Sequence, residues 1–362
     1  MDDKKKATQS RFSARKPERG QRRNDLGIDA ASENLALGPR TGTADFSPTT
    51  EPGVPKALGL PTDETEELAS SSSSSRFKGT SKLKLYTRRF LRNRMAVVGL
   101  LIFILLVFFA LFGGVFAKWS FDDPDFLNLA TGPSSEHWFG TDDAGNDLYA
   151  QTVHGLGRTL IIAVSVTVAT TILSALIGAG AAIYGGAVEK VILTVIHFLL
   201  AIPTFLLIAL LVADTGGDWK MLTFVLILFG WMYAARVIWS LALSIRENDY
   251  VRAASYMGVS RPKIVVRHIV PNIGSLLIIQ FALGLVSTVM SETALSFLGL
   301  GVKMPDVSLG TLLAGGASAL ESSPWRFYFP AAVLTMLTVS MAYIADGLRD
   351  ALDPNSNSGG KA

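Results

Sequence analysis

Few residues of this chain could do chemistry, and they are widely spaced. The four histidines, His137, His154, His197 and His268, are scattered, and none forms a His-Glu-x-x-His pair for a metal. The sequence contains no cysteine, which excludes disulfides and thiolate metal ligands. It also lacks a Gly-x-x-x-x-Gly-Lys-Ser/Thr loop for ATP phosphates and a Gly-x-Ser-x-Gly turn for a nucleophilic serine. We therefore predict no catalytic residue, no metal site and no cofactor bound by this chain.

Single titratable groups nevertheless occur where apolar segments end. Glu292 follows an apolar run and precedes a glycine-rich loop that contains Phe297, Gly299 and Gly301. An ionisable residue at membrane depth is a functional candidate, but at the boundary it could equally be solvated. The loop could cover the outer mouth of a pathway as a gate or contact an external protein. His268 has two open interpretations: a surface or capping residue, or one that holds a segment against the membrane helices.

The elements that position these residues are membrane helices. Hydrophobic residues make up 49% of the chain, and the mean hydropathy is +0.37. Runs near the roughly 20 residues that cross a bilayer, without alternation, are helices, and tilt and flanking residues accommodate the two shorter ones. We predict an all-α integral membrane protein with six transmembrane helices. The six apolar runs are 95–117, 159–184, 191–213, 222–240, 273–290 and 329–345.

The charges orient these spans. Residues 1–94 hold 19 Lys/Arg and 12 Asp/Glu, whereas the remainder holds 14 and 18. The loop 118–158 carries two basic and seven acidic residues, and the insert 241–272 carries five basic and two acidic ones. The positive-inside rule then places both termini and the insert in the cytoplasm and the loop outside. A basic tail beside a span is better explained by anionic lipid than by nucleic acid, so we predict membrane lipid and no nucleic acid as a partner.

Composition divides the chain into segments. Residues 1–75 are rich in Ser, Thr, Pro and charge, which predicts a disordered cytoplasmic tail. Residues 76–94 predict a basic amphipathic segment at the inner membrane surface. The six-helix domain covers 95–347 and includes a second external loop at 292–328. Residues 348–362 form a cytoplasmic C-terminal tail.

The insert 241–272 is long for a connection between spans and carries helix signals. Asn248 or Asp249 can cap a helix over 250–257, and Gly258 can end it in the left-handed conformation. Pro271–Asn272 is expected to break a second helix before the fifth span. A plain connecting loop is the alternative, but the caps and the exposed apolar tip favour docking to another protein. The predicted docking residues are Tyr250, Arg252, Ala253, Ala254, Tyr256, Met257 and Gly258.

Small residues recur every four positions in the second span, at Thr170, Ser174, Gly178 and Ala182. Such a stripe lets two helices approach closely. It has two interpretations at this point. The stripe either packs within this chain or belongs to a pore lining or a subunit interface.

Motifs in the insert carry a family resemblance. The pattern Ala253-Ala254-x-x-x-Gly258, followed by Ile264, His268 and Pro271-Asn272, resembles the signature loop of binding-protein-dependent ABC importer permeases. The chain is most similar to the second permease subunit of the dipeptide, oligopeptide and nickel branch. Segments that agree with that subunit are 90–100, 137–155, 292–316 and 346–354. Departures from the family pattern are Arg252 for glutamate, Asn146 for arginine, His197 for an acidic residue and Leu309 for tryptophan.

The resemblance implies a type I ABC importer permease fold with a cytoplasmic coupling helix. It implies four kinds of partner: a homologous permease, two ATP-binding subunits, an extracytoplasmic substrate-binding protein and the lipid of a bacterial cytoplasmic membrane. ATP and Mg²⁺ would be bound by the partner subunits. In such a protein, Asp142 and Asp147 are external-loop candidates, and His268, Pro271 and Asn272 support the coupling loop. The implied cargo is a dipeptide or oligopeptide, with nickel or another small solute as the alternative.

Two other classes remain as alternatives. A self-sufficient channel or secondary carrier usually has acidic residues near the membrane midplane, and these spans show none. The main ionisable residues in the spans are His197 and Arg236, and Arg236 is expected near the cytoplasmic end, where its side chain can reach the surface. A membrane enzyme or an assembly scaffold would not depend on an external binding protein.

Overall fold

A computed structural model describes residues 82–353, and within this range the secondary structure is helical. A π-helical segment, Val265–Ile269, joins α9 to α10. The predicted tail 1–75, residues 76–81 and residues 354–362 lie outside the described residues. In chain order the helices are α1 Lys82–Arg92, α2 Arg94–Phe116, α3 Leu148–Tyr184, α4 Gly186–Ala201, α5 Thr204–Ala213, α6 Trp219–Gly230, α7 Met232–Arg246, α8 Asp249–Tyr256, α9 Arg261–Ile264, α10 Val270–Asn272, α11 Gly274–Phe297, α12 Leu309–Ser318 and α13 Trp325–Leu352.

Five helical segments of the described range are long and apolar enough to cross a membrane: α2, α3, α6 with α7, α11 and α13. The helices α4 and α5 also pass this test as a pair, but they are bent by 78°. The protein is therefore all-helical, as predicted, with six spans if the bent pair counts as one.

The bend corrects the prediction of one continuous helix over 191–213. Ile202 has an extended backbone, with a ψ of 136°, and Pro203 follows it immediately. The proline ring disfavours the helical conformation at the preceding residue and removes one backbone donor. The third apolar run is therefore two helices that meet at a corner.

Three other helices extend beyond the apolar runs that predicted them. α3 begins at Leu148, so residues 148–158 of the predicted loop are helical. α11 continues to Phe297, which places Glu292 inside a helix instead of in the predicted loop 292–328. α13 runs from Trp325 to Leu352. An apolar run marks only the part of a helix that lies in lipid. These three helices extend beyond it into polar sequence, where their side chains contact loops of the same chain.

α3 is the central helix, and it contacts α2, α6, α7, α11 and α12. Its small-residue stripe (residues 170–182) faces α6 and α7. A β-carbon on Gly178 would collide with the carbonyl oxygen of Ala235, and the Thr170 side chain meets Gly230. Such close approach needs residues without bulk. The stripe therefore packs within this chain, the first of its two interpretations.

The two ends of the described chain meet beside one another. Asn93 caps α2 by accepting hydrogen bonds from the backbone N–H groups of Met95 and Ala96, and its amide donates to Asp350 at 3.0 Å. Arg89 of α1 donates to the carbonyl of Asp353 at 3.3 Å. The basic helix α1 and the end of α13 consequently lie on the same side of the helical domain, as an even number of spans requires.

Candidate coupling and gate sites

The predicted docking helix is α8, and its end is the left-handed glycine cap that the sequence predicts. Gly258 has a φ of +79°, and the N–H of Val259 donates to the carbonyl of Ala254 at 3.1 Å. The N–H of Met257 donates to the carbonyl of Ala253 at 2.9 Å. Asn248 is the N-cap residue, but its side chain makes no capping hydrogen bond to α8. The helix is therefore fixed mainly at its C-terminal end.

The two faces of α8 differ in exposure. Val251 and Ala254 are buried, and Val251 packs in a cluster with Ile264 and Ile269 at the ends of α3 and α7. Ala254 is thus a packing residue of this chain, which corrects its assignment as a contact residue for a partner. Val251 and Ala254 are three residues apart and therefore lie on the same face of α8, the face turned toward the rest of the chain. The other predicted docking residues, Tyr250, Arg252, Ala253, Tyr256, Met257 and Gly258, are exposed.

A cation lies at the centre of this exposed face. The Tyr256 side chain hydrogen-bonds to Arg252 one helical turn away and raises the pKa of Arg252 above its ordinary value. Tyr256 and Met257 are 82% and 77% exposed, respectively, large values for apolar side chains at a helix end. Exposed aromatic and methionine side chains beside an arginine are typical of a protein contact surface.

The second helix of the insert ends just before the fifth span, as predicted, but the break is at Ile273, and Pro271–Asn272 are still helical. Helical backbone continues from Arg261 to Asn272 and passes through the π-helical segment. A proline lacks the N–H for a helical bond and its ring clashes with the carbonyl four residues earlier, and the wider π turn relieves that clash. Asn272 donates from its side chain to the backbone carbonyl of His268 at 2.6 Å. This bond uses the His268 backbone, and the imidazole takes no part in it.

The loop before α3 is organised by the two aspartates predicted as external contacts. Asp147 is 3% exposed and caps α3, with Oδ2 accepting from the N–H of Ala150 at 2.9 Å. Asp142 accepts from the N–H groups of Ala144 and Asn146, each at 2.9 Å. Both carboxylates form hydrogen bonds within the loop, and their role as external-loop candidates stays a prediction.

A histidine in the same loop is buried, which its sequence context did not predict. His137 is 1% exposed and lies between Asp147, at 3.0 Å, and Asp125, at 3.4 Å. The side-chain amide of Asn128 and the N–H of Leu127 lower the pKa of Asp125. The aspartate–histidine–aspartate arrangement ties together the two ends of the loop. Its members are ten and twelve residues apart, a spacing that matches no local motif.

Glu292 is the centre of a second buried cluster. It is 1% exposed, so the solvated alternative for this residue was wrong. Its Oε1 accepts from the Ser296 hydroxyl at 2.7 Å, and its Oε2 accepts from the Thr159 hydroxyl at 3.2 Å. These hydroxyls accept in turn from the backbone N–H groups of Val302, at 3.2 Å, and Leu309, at 3.3 Å. One carboxylate thus holds both ends of the segment that joins α11 to α12.

The glycine-rich loop fits tightly against this cluster. Gly299 turns the chain out of α11 with a φ of +75°, and a β-carbon on Gly301 would collide with the Ser296 hydroxyl. Phe297 is 44% exposed and points away from the cluster's buried groups. The loop is therefore a fixed cap over the ends of α3 and α11.

Asp306 joins this loop to α3. Its Oδ1 lies 2.8 Å from Nε2 of His154, and its Oδ2 lies 2.7 Å from the Arg158 guanidinium. Arg158 also lies over the ring of Trp219, 4.3 Å from the centroid. The loop that contains Asp306 and the helices α3 and α6 therefore meet at the Arg158 guanidinium. Asp306 is 152 residues from His154, so no sequence motif connects them.

A cleft of about 430 Å³ opens beside the glycine-rich loop. Gln151 of α3, Lys303 of the loop and Thr311 of α12 contribute to its lining. At its edge Arg326 forms an ion pair with the exposed Asp143 at 2.6 Å. The cleft combines an apolar floor with a charged rim, which is the composition of a protein or peptide contact surface.

These features define a class of protein: a multi-helix membrane protein with an exposed, glycine-capped helix between two spans and, at the other end of α3, a loop held by a buried carboxylate. Residues 172–357 match the family of binding-protein-dependent transport system inner membrane components. Residues 81–133 match the N-terminal transmembrane domain of oligopeptide transport permease C. The chain therefore belongs to the family of inner membrane components of binding-protein-dependent transport systems, with the type I ABC permease fold.

Three relatives place the chain within that family. The oligopeptide transport system permease protein OppC of Mycobacterium tuberculosis (strain H37Rv) is 43% identical over 280 residues, covering 77% of this chain and 96% of the relative. The protein of the same name from Bacillus subtilis is 32% identical over 266 residues, which are 74% of this chain and 87% of the relative. That from Escherichia coli K12 is 33% identical over 269 residues, covering 74% and 89%. The resemblance stated from the motifs is confirmed.

Proposed function

We propose that this chain is one permease subunit of an ATP-driven, binding-protein-dependent importer of short peptides. It would pair with a homologous permease, and the pathway would lie between the two. Two ATP-binding subunits would contact its cytoplasmic side and a substrate-binding protein its outer side. The names of the relatives, each an oligopeptide transport permease, support the peptide cargo.

The observation that carries the coupling role is the division of α8 into an anchored face and a free face. Val251 packs in the cluster at the ends of α3 and α7 and Ala254 is buried beside it on the same face, whereas Tyr256 and Met257 are exposed. A force applied to the free face would therefore be transmitted to the spans that α8 connects, α7 and α11. Coupling of this kind needs a rigid element with two positions, and a capped helix packed on two spans meets that requirement.

ATP hydrolysis would take place on the partner subunits, which would bind ATP and Mg²⁺. The sequence supplies no phosphate-binding loop, which supports a non-catalytic role. The positive charge of Arg252, where the family signature that this insert resembles has glutamate, predicts an acidic position on the matching ATPase surface. The chain would lie in the bacterial cytoplasmic membrane with both termini inside, since the basic helix α1 borders one end.

Reconstitution tests this function. The complex would be co-expressed with the genes for its partners, purified through a tag on this chain and placed in liposomes with the external binding protein. We expect the ATPases to co-purify, and we expect uptake of a radiolabelled tetrapeptide that requires both ATP and the binding protein. Uptake by this chain alone would support a channel or carrier instead. Transport of Ni²⁺ without peptide would support the nickel branch.

A further inference from the structure

One charged residue lies near the middle of a helical segment that is long and apolar enough to cross a membrane. α6 and α7 together form a membrane segment from Trp219 to Arg246. At 1.5 Å per residue this segment is about 42 Å long, and Arg236 is about 15 Å from its Arg246 end. Arg236 is thus only about 5 Å from the midpoint of the segment. α7 continues for ten residues beyond Arg236, so this residue lies farther from the end of its helix than the apolar run 222–240 indicates.

Arg236 belongs to a polar stripe on the outer face of α7. The opposite face of α7, with Met232, Ala235 and Ile238, is buried against α3 and α4. The outer face instead borders a cleft of about 740 Å³ whose walls include Trp239 and Leu276. The stripe residues recur at helical spacing and are all exposed: Tyr233, Arg236, Ser240 and Ser244.

This face differs from the faces that suit lipid. The exposed residues of α2 are apolar, among them Leu101, Ile104 and Leu105. Within residues 82–353, by contrast, the Arg236 guanidinium has neither an ion pair nor a hydrogen bond to a side chain. An arginine near the middle of a span is costly in hydrocarbon and normally faces a polar pathway or an anion. The anion that neutralises Arg236 therefore comes from outside the described chain.

We propose that this stripe lines the transport pathway and that Arg236 binds the C-terminal carboxylate of the peptide in transit. This inference rests on the proposed function. Every unmodified linear peptide carries that carboxylate, and a guanidinium binds carboxylates through two parallel hydrogen bonds.

The extent of the stripe favours a peptide over a fixed ion pair with a partner subunit. From Tyr233 to Ser244 the donors extend for about 16 Å along α7. That is the length of about five extended residues. A fixed ion pair would need a cation at one position only, whereas hydroxyl groups on either side of Arg236 can bind the carbonyl groups of a moving chain.

Charge removal combined with a change in the peptide terminus tests the proposal. Uptake would be measured in liposomes for a tetrapeptide and for its C-terminal amide. Calorimetry would first identify such a pair that the binding protein binds in both forms. Each peptide's uptake by a variant is compared with its uptake by the wild type, so any difference in the binding protein's affinity for the two peptides cancels. We expect Arg236→Gln to lower uptake of the free acid by about tenfold to a hundredfold, the worth of a charged hydrogen-bonded pair. Uptake of the amide should change less than about twofold.

Two variants serve as controls. Arg236→Lys keeps the charge and should restore part of the free-acid uptake. Lys190→Gln removes an exposed cation from α4 and should affect neither peptide. An equal fall for both peptides with Arg236→Gln, or no fall for either, would overturn the proposal. If the wild-type complex moves no peptide at all, the proposed function itself fails, which is a different result.

A cross-linking experiment keeps the proposal testable if Arg236→Gln does not assemble. Because the sequence contains no cysteine, Ser240→Cys introduces a single thiol into this chain. A tetrapeptide with an activated disulfide near its C-terminus should cross-link to this thiol during ATP-driven transport. Leu105→Cys, on the apolar face of α2, should not react. Equal reaction at both positions, or none at Ser240→Cys, would place the peptide elsewhere.

Discussion

Ser296 and Glu292, one helical turn apart on α11, form a buried hydrogen bond of 2.7 Å that fixes the outer loop. The Ser296 hydroxyl also accepts from the N–H of Val302, so the carboxylate acts on the backbone of the loop through this hydroxyl. Thr159 of α3 forms the equivalent connection to the start of α12. A carboxylate at the end of one span thereby links three helices, and movement of α11 would move the loop with it.

The first prediction concerns this carboxylate. Glu292→Ala removes the acceptor of two buried hydroxyls and leaves a cavity, so we expect a loss of stability of about 2–4 kcal/mol. The melting temperature of the complex in detergent measures it. Glu292→Gln keeps the volume and one acceptor oxygen and should cost less. Glu321→Ala, an exposed residue on the same loop side, is the control and should melt as the wild type. Equal melting of all the variants would contradict a structural role for Glu292.

The second prediction concerns the loop before α3. Asp142→Ala removes the acceptor of the Ala144 and Asn146 amides, so these N–H groups should exchange with solvent at least about tenfold faster, since a hydrogen bond to a carboxylate is worth about 1.5–3 kcal/mol. Hydrogen exchange followed by mass spectrometry measures this. The ATPases should still co-purify with the variant, because the loop lies on the side of the domain away from α8. Asp123→Ala, at an exposed loop position, serves as the matched control. Loss of the ATPases with Asp142→Ala would instead reveal coupling across the membrane.

Features that depend on local chemistry could be predicted from the sequence. The predicted docking helix 250–257 and the observed α8, Asp249–Tyr256, differ by one residue at each end. Gly258 ends the helix because its left-handed backbone is a property of that one residue. The bend before α5 also has a local signal, since Pro203 restricts the backbone of Ile202. The continuous apolarity of residues 191–213 nevertheless predicts a single unbroken helix if Pro203 is given no weight as a helix breaker.

Features that depend on distant contacts could not be predicted in the same way. The burial of Glu292 requires Thr159, which is 133 residues away in the chain. Its position at the end of an apolar run is compatible with solvent or with the interior, and only the packing of α3 decides between them. The helical continuation of α3 to Leu148, by contrast, has a local signal, because Asp147 directly precedes it and caps the helix. A polar sequence beyond a span does not distinguish a loop from a helix that projects from the membrane.

The third prediction concerns Gly258. A β-carbon at this position would meet nothing within 4 Å, so the cost of a substitution comes only from the left-handed backbone. That cost is about 1–2 kcal/mol for a β-branched residue and less for asparagine. We expect Gly258→Val to leave membrane insertion normal but to reduce the amount of ATPase that co-purifies and to abolish uptake, because the end of α8 unwinds. Gly258→Asn is the matched control and should retain most of both. Undiminished uptake by Gly258→Val would reject the role of α8 in coupling.

The fourth prediction is a pH dependence in the external loop. Asn128 and the N–H of Leu127 donate to the Asp125 carboxylate, and these bonds lower its pKa. A carboxylate whose pKa is lowered by folding stabilises the folded loop at any pH above its pKa in the unfolded chain. This stabilisation is lost as the pH falls through its pKa in the folded loop. The ordinary pKa of aspartate is about 3.9, so the Leu127 amide should lose protection from exchange, after correction for the intrinsic rate, only below about pH 4. Asp125→Asn should show lower protection without this pH dependence, and Asp123→Asn should behave as the wild type. Loss of protection at a pH well above 4 would contradict the assignment of the transition to Asp125.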